Sequence, residues 1–170
     1  IADLGAAAAA GGDLRAAMPP QESPPHDGVP YFVRPADAIA TTFAAMPAAA
    51  GDAVDMNSTS RWAGVLEGAA WRIEVPANWN GELVMYAHGY AGEALELRAV
   101  DSAIRRHLVQ QGYAWAASSY SRNSYDVRAG VEDTNLLARN FNAIAAANGR
   151  ALAAPARTYI IGHSMGGHVA

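Results

Sequence analysis

Thr158-Tyr-Ile-Ile-Gly-His-Ser-Met-Gly-Gly167 runs four residues suited to a buried strand directly into the G-x-S-x-G pattern Gly162-His163-Ser164-Met165-Gly166. The mechanics of that pattern call for a strand that turns sharply into a helix and holds the serine at the tip in a strained backbone conformation. Gly162 and Gly166 flank Ser164 where a side chain would collide across the turn, and Gly167 is expected to let the new helix lie close to the sheet. An apolar, β-branched run stands immediately before the pattern, and Met165 to Ala170 can begin a helix.

Working back along the chain, the texture before this stretch alternates strands and helices. Trp62–Glu67 and Ala70–Val75 read as two short strands around Gly68, the second alternating Trp71, Ile73 and Val75 against Arg72 and Glu74. Leu83–Ala87 is a continuous apolar run of the kind buried on both faces of a parallel sheet, and it ends in His88-Gly89-Tyr90. Leu97, Val100, Ile104 and Leu108 recur at helical spacing, which predicts an amphipathic crossover helix stopped at Gly112. Tyr113–Ala117 is a further strand, followed by the polar loop Ser118 to Asp126 at its carboxyl end. From Val131 to Ala147, Leu137, Phe141 and Ile144 share one stripe, with Glu132 and Asp133 placed to favour a helix N-terminus. Strand, helix, strand, helix, strand is the pattern of an α/β protein with a doubly wound, mostly parallel sheet, here carrying an antiparallel N-terminal hairpin.

The first 60 residues read differently, as an Ala/Pro/Gly-rich extended or flexible segment ahead of a folded portion from 61 to 170. Within it, Pro35 can open a short helix that Pro47 would end. Asn57-Ser58-Thr59 matches a glycosylation sequon and is assigned to a surface loop.

Composition bounds the function classes. The 170 residues are 51% hydrophobic and 16% charged, enough apolar material for a core, and the net charge of -4 offers no basic face for nucleic acid. No window holds 18 uninterrupted apolar residues, so no transmembrane span is expected. Zero cysteines exclude disulfides, thiolate metal sites and a cysteine nucleophile. No histidine pair shows H-x-x-x-H spacing, and the glycine-rich segments lack both the Lys-Ser/Thr ending of a phosphate loop and the G-x-G-x-x-G of a dinucleotide site. No metal and no cofactor is therefore expected. The Ala/Gly/Pro-rich opening suits the mature end of an exported protein, secreted or periplasmic, with a cytoplasmic location as the alternative.

On these residues the segment from about Trp62 to Ala170 resembles the amino-terminal half of an α/β-hydrolase. The resemblance implies a serine esterase or lipase-like hydrolase in which Ser164 is the nucleophile, attacking a small-molecule ester and passing through an acyl-enzyme. It also implies that the backbone N–H groups of Tyr90 and Met165 form the oxyanion hole. Tyr90 and the Tyr120 to Tyr125 loop after Tyr113–Ala117, Tyr125 in particular, are candidates for the substrate-pocket wall. An amide or peptide substrate, and a non-catalytic binding module that keeps the elbow, are the alternatives.

A serine hydroxyl needs a histidine to take its proton and a carboxylate to orient that histidine. His163 and His168 lie too near Ser164 in sequence, His88 sits beside the oxyanion loop, His107 falls on the crossover helix and His26 in the Pro-rich tail. In the family the order is serine, acid, histidine, so both partners are expected beyond residue 170, from the missing carboxyl-terminal half or a second polypeptide. The 170 residues are accordingly expected to be a fragment truncated after the elbow, inactive and poorly folded alone, with the Thr158–Ile161 strand left as an open hydrophobic edge.

Overall fold

The computed structural model describes residues 37–170. The Pro/Gly-rich stretch, His26 and the proposed helix start at Pro35 lie outside the described residues. Five strands make the main sheet, in the order β2 (Ser60–Leu66), β3 (Ala69–Val75), β6 (Ala114–Ser118), β4 (Glu82–Ala87), β7 (Arg157–Gly162). β4 pairs in parallel with β6 and with β7, while β2 and β3 form a hairpin joined antiparallel to β6. The sheet is therefore mixed, a parallel core with an antiparallel hairpin at one side. The hairpin closes through Glu67 and Gly68, both at positive φ, the twist that matches flanking strands across a two-residue turn.

Helices cover both faces. The 21-residue helix α2 (Val127–Ala147) buries Leu137 and Phe141 against Trp71, Ile73, Leu83, Met85, Ala114 and Ala116. The opposite face packs Val84, Trp115 and Ala117 under Leu108 and Val109 of α1 (Arg105–Gln110), together with Met56 from the segment before β2. The period of two along β4 and β6 divides Leu83 and Met85 from Val84, and Ala114 and Ala116 from Trp115. Each such fully buried large side chain contributes roughly 1.5–3 kcal/mol.

Three expectations change. The helical stripe from Leu97 is not one helix: Glu96–Arg98 forms a short strand, β5, paired in parallel with β1 (Asp37–Ile39), and only Arg105–Gln110 is helical. Leu97 is buried by that pairing, whereas Val100 and Ile104 remain 41% and 45% exposed. The same pairing replaces the helix proposed after Pro35, since residues 37–39 are strand and the chain from 40 to 59 is irregular. α2 begins at Val127 rather than Val131, because the Asp126 carboxylate caps it by accepting the Ala129 N–H at 2.9 Å. Glu132 then pairs with Arg128 along the helix, and Asp133 is buried and accepts the Ser121 N–H at 2.6 Å, so neither is a helix-terminal charge.

Glu74, expected to face outward on β3, is fully buried. Its carboxylate accepts from Arg105 (Nε to Oε2, 2.5 Å; Nη2 to Oε1, 3.0 Å), Arg61 (2.9 Å), Thr59 (2.5 Å) and the Trp115 indole (2.9 Å). Burial pushes this carboxyl up, but hydrogen bonds from Arg105 and Thr59, the Arg105 charge and the Trp115 N–H outweigh it and hold Glu74 below its ordinary value. Phe43 packs edge-on against Trp115 and lies 5.2 Å from the guanidinium carbons of both Arg72 and Arg105, and Thr41 accepts from Arg72. The irregular segment from 41 to 59 is thus tied across the sheet face by arginine. Asn57 of the sequon is exposed, and its side chain exchanges two hydrogen bonds with the Met46 backbone.

Candidate active site around Ser164

β4 and β7 end level with each other. Ala87 is in register with Gly162, and the His163 N–H donates to the Ala87 carbonyl at 3.1 Å just beyond that pair. From β7 the chain turns at Ser164, which adopts φ +56°, and enters the short helix α3 (Gly166–Val169) through Met165 at φ −51°. A left-handed serine costs roughly 1–3 kcal/mol and persists only where its surroundings over-determine it. They do so here through two glycines. A Cβ on Gly162 would fall 2.0 Å from the Gly166 carbonyl oxygen, and a Cβ on Gly166 would fall 2.0 Å from the Ala87 oxygen and 2.7 Å from that of His88. Gly167 is different: a Cβ there meets nothing within 4 Å, so the close approach of α3 to the sheet is made at Gly166.

Ser164 is exposed at the tip of this turn, with Met165 buried beneath it among Ala87, Tyr120, Ala129 and Val169. The loop leaving β4 runs alongside, since a Cβ on Gly89 would lie 3.1 Å from both the Ser164 Cβ and the His163 oxygen. Among the described residues, neither the Tyr90 nor the Met165 amide donates a hydrogen bond. The structure thus brings Ser164 and the Gly89 backbone together at the level where β4 and β7 end.

The Tyr90 side chain is 51% exposed and Tyr125 is 55% exposed. Their loops are laced together, because Ser124 N–H donates to the Gly92 carbonyl at 2.7 Å and the Asn123 amide donates to the carbonyls of Ala94 and Glu96. Tyr125 hydroxyl and His168 Nδ1 are 2.7 Å apart, which engages His168 with the loop after β6. His88 is buried, with Nδ1 2.6 Å from its neighbouring Gly89 oxygen. His107 and His163 are exposed, and among the described residues no histidine hydrogen-bonds the Ser164 hydroxyl.

Tyr120, expected with the rest of its loop at the pocket wall, is instead buried, and its contacts were not foreseen from the sequence. It is 1% exposed at φ +61°, its ring stacks on His88 at 4.0 Å, and its hydroxyl donates to the His88 carbonyl at 2.9 Å. Burial, then repulsion from Tyr86, pushes its phenol well above the ordinary value, with the His88 carbonyl bond a smaller effect the other way, so it stays a proton donor. A buried tyrosine in a Ser/Asn-rich loop carries no sequence signature; only the fold shows what it touches.

No group of three or more His, Asp or Glu among the described residues is placed to hold a metal ion. No helix among them is long and apolar enough to cross a membrane. Comparison with protein-family models gives no match, and neither does comparison with curated proteins.

Proposed function

We propose that this protein is a serine hydrolase of the α/β-hydrolase type that cleaves a carboxylic ester. The observation that carries the reading is the left-handed Ser164, exposed between β7 and α3 with the Gly89 backbone packed against its Cβ. In this reading the Ser164 hydroxyl adds to the ester carbonyl, and the charge that develops on the carbonyl oxygen is met by the uncommitted Tyr90 and Met165 amides. Collapse expels the alcohol and leaves an acyl-enzyme, which water then cleaves to release the acid and regenerate the serine. His88 and His168 are engaged with Gly89 and Tyr125, so no histidine among the described residues is assigned as the activating base. Tyr90 and Tyr125, exposed on laced loops, are assigned to the pocket wall.

The test is labelling of the full-length protein by a fluorophosphonate probe. Ser164 is expected to be modified, with no labelling in Ser164→Ala, and hydrolysis is expected across a panel of esters ahead of the matching amides. A well-folded full-length protein that takes no label would overturn the proposal. On the same panel, Tyr125→Ala is expected to redistribute rates between aromatic and aliphatic acyl groups; an unchanged ranking removes Tyr125 from the wall.

A further inference from the structure

We infer that Tyr120 is a positioning residue for the oxyanion loop, fixing the His88–Gly89 peptide that precedes the Tyr90 amide; this rests on the hydrolase reading above. The hydroxyl of Tyr120 ends on the His88 carbonyl, and its ring lies flat on the His88 ring with an interplanar angle of 18°. One side chain therefore holds both the backbone and the side chain of the residue at which β4 becomes loop. The same ring belongs to the apolar cluster with Met165 and Val169, and its Cζ lies 3.4 Å from where a Cβ on Gly130 would stand. Tyr120 thus touches the loop bearing one oxyanion amide and the cluster beneath the other.

The backbone around Tyr120 is built to aim it. The Ser118 hydroxyl oxygen accepts the Tyr120 N–H at 3.0 Å, and the Ser119 hydroxyl donates to the Tyr120 carbonyl at 2.8 Å. Ser119 is itself anchored to β3, its N–H donating to the Ala70 carbonyl and its Oγ accepting the Ala70 N–H. All three residues are buried. A left-handed, non-glycine residue held by three hydrogen bonds in the interior is a conformation the surroundings maintain against its local preference, and such positions cluster at functional sites. A tyrosine needed only for packing would require neither the strained backbone nor the directed hydroxyl.

Tyr120→Phe removes the hydroxyl and keeps the ring. In the full-length protein the expected result is a fall in kcat of about tenfold to a hundredfold with KM changed by less than about twofold, the pattern of an interaction used in the transition state. Inhibition by a boronic acid transition-state analogue should weaken in parallel, and amide hydrogen exchange at Tyr90 and Ala91 should accelerate. Ser119→Ala, which frees the Tyr120 carbonyl without touching the ring, should shift the same quantities in the same direction and covers the case in which Tyr120→Phe does not fold. Wild-type kcat together with unchanged exchange at Tyr90 and Ala91 in these variants would overturn the inference while leaving the hydrolase reading standing. A wild-type protein that neither labels nor hydrolyses esters would remove the hydrolase reading, and the inference with it.

Discussion

Replacing Glu74 by glutamine keeps the shape of the side chain and removes the charge at the fully buried centre of a polar cluster. Arg105 is 3% exposed at its side chain, so it cannot turn to water when its partner is neutralised. The geometry makes the change worse than loss of charge alone. Oε1 accepts from Arg61, Arg105 and Thr59, and Oε2 accepts from Arg105 and Trp115, so the glutamine amide nitrogen faces donors whichever way it is turned. Breaking one side of a buried pair costs about 3–5 kcal/mol. Residues 37–170 contribute an unfolding entropy near 0.3 kcal/mol per kelvin, so the melting temperature should drop by up to roughly 10–17 °C. Calorimetry of the two proteins at pH 7 measures this directly. Combining Glu74→Gln with Arg105→Met should recover much of the loss, because the double change removes the stranded cation as well. A melting temperature lowered by less than about 3 °C in the single variant would refute the argument that Glu74 is the desolvated hub of this face.

The same carboxylate sets a pH dependence. Because Glu74 is held below its ordinary value in the folded protein, the unfolded state binds more protons as pH falls through the ordinary carboxylate range, and stability should decline from there through the lower native value. Asp52, lowered by its hydrogen bonds from Arg106 and the Ala49 N–H, acts in the same direction. Urea titrations between neutral pH and about pH 3 should show the decline, and Glu74→Gln should flatten it; an equal slope in both proteins would assign the effect to other carboxyls. At the elbow, Gly166→Ala drives a methyl into backbone oxygens that cannot swing aside, so Ser164 must move, and ester turnover should fall by about a hundredfold or more. Gly167→Ala meets open space and should leave the melting temperature unchanged or slightly raised, since alanine is the better helix former.

Much of the main sheet could be read from the chain because each of its strands announces itself locally. Trp71, Ile73 and Val75 alternate, Leu83–Ala87 is a run of apolar residues, and Glu67-Gly68 supplies the hairpin turn. What could not be read depended on partners remote in sequence. Glu96–Arg98 becomes strand because residues 37–39 lie beside it, and that contact overrides a helical spacing which Leu97 to Leu108 does display. Glu74 looks like the outward residue of an alternating strand until Thr59, Arg61, Arg105 and Trp115 are brought around it by the fold. At the candidate site the asymmetry is similar. The glycines around Ser164 signal a tight turn by their spacing, whereas the role of Tyr120 depends on a hydrogen bond spanning 32 residues.

The level ending of β4 and β7 makes the site a matter of registration more than of loop shape. Ala87 stands opposite Gly162, and the serine and the Gly89 backbone leave the ladder from that same rung. Loops on this rim can lengthen, shorten or change composition while the spacing between Ser164 and the Gly89 backbone is kept by strand pairing below them. The corresponding vulnerability is a slip of one residue between β4 and β7. It would offset the two by about 3.3 Å and turn the side chains of a whole strand to the opposite face, so an insertion within either strand would erase the site in a way that an insertion beyond Tyr90 would not.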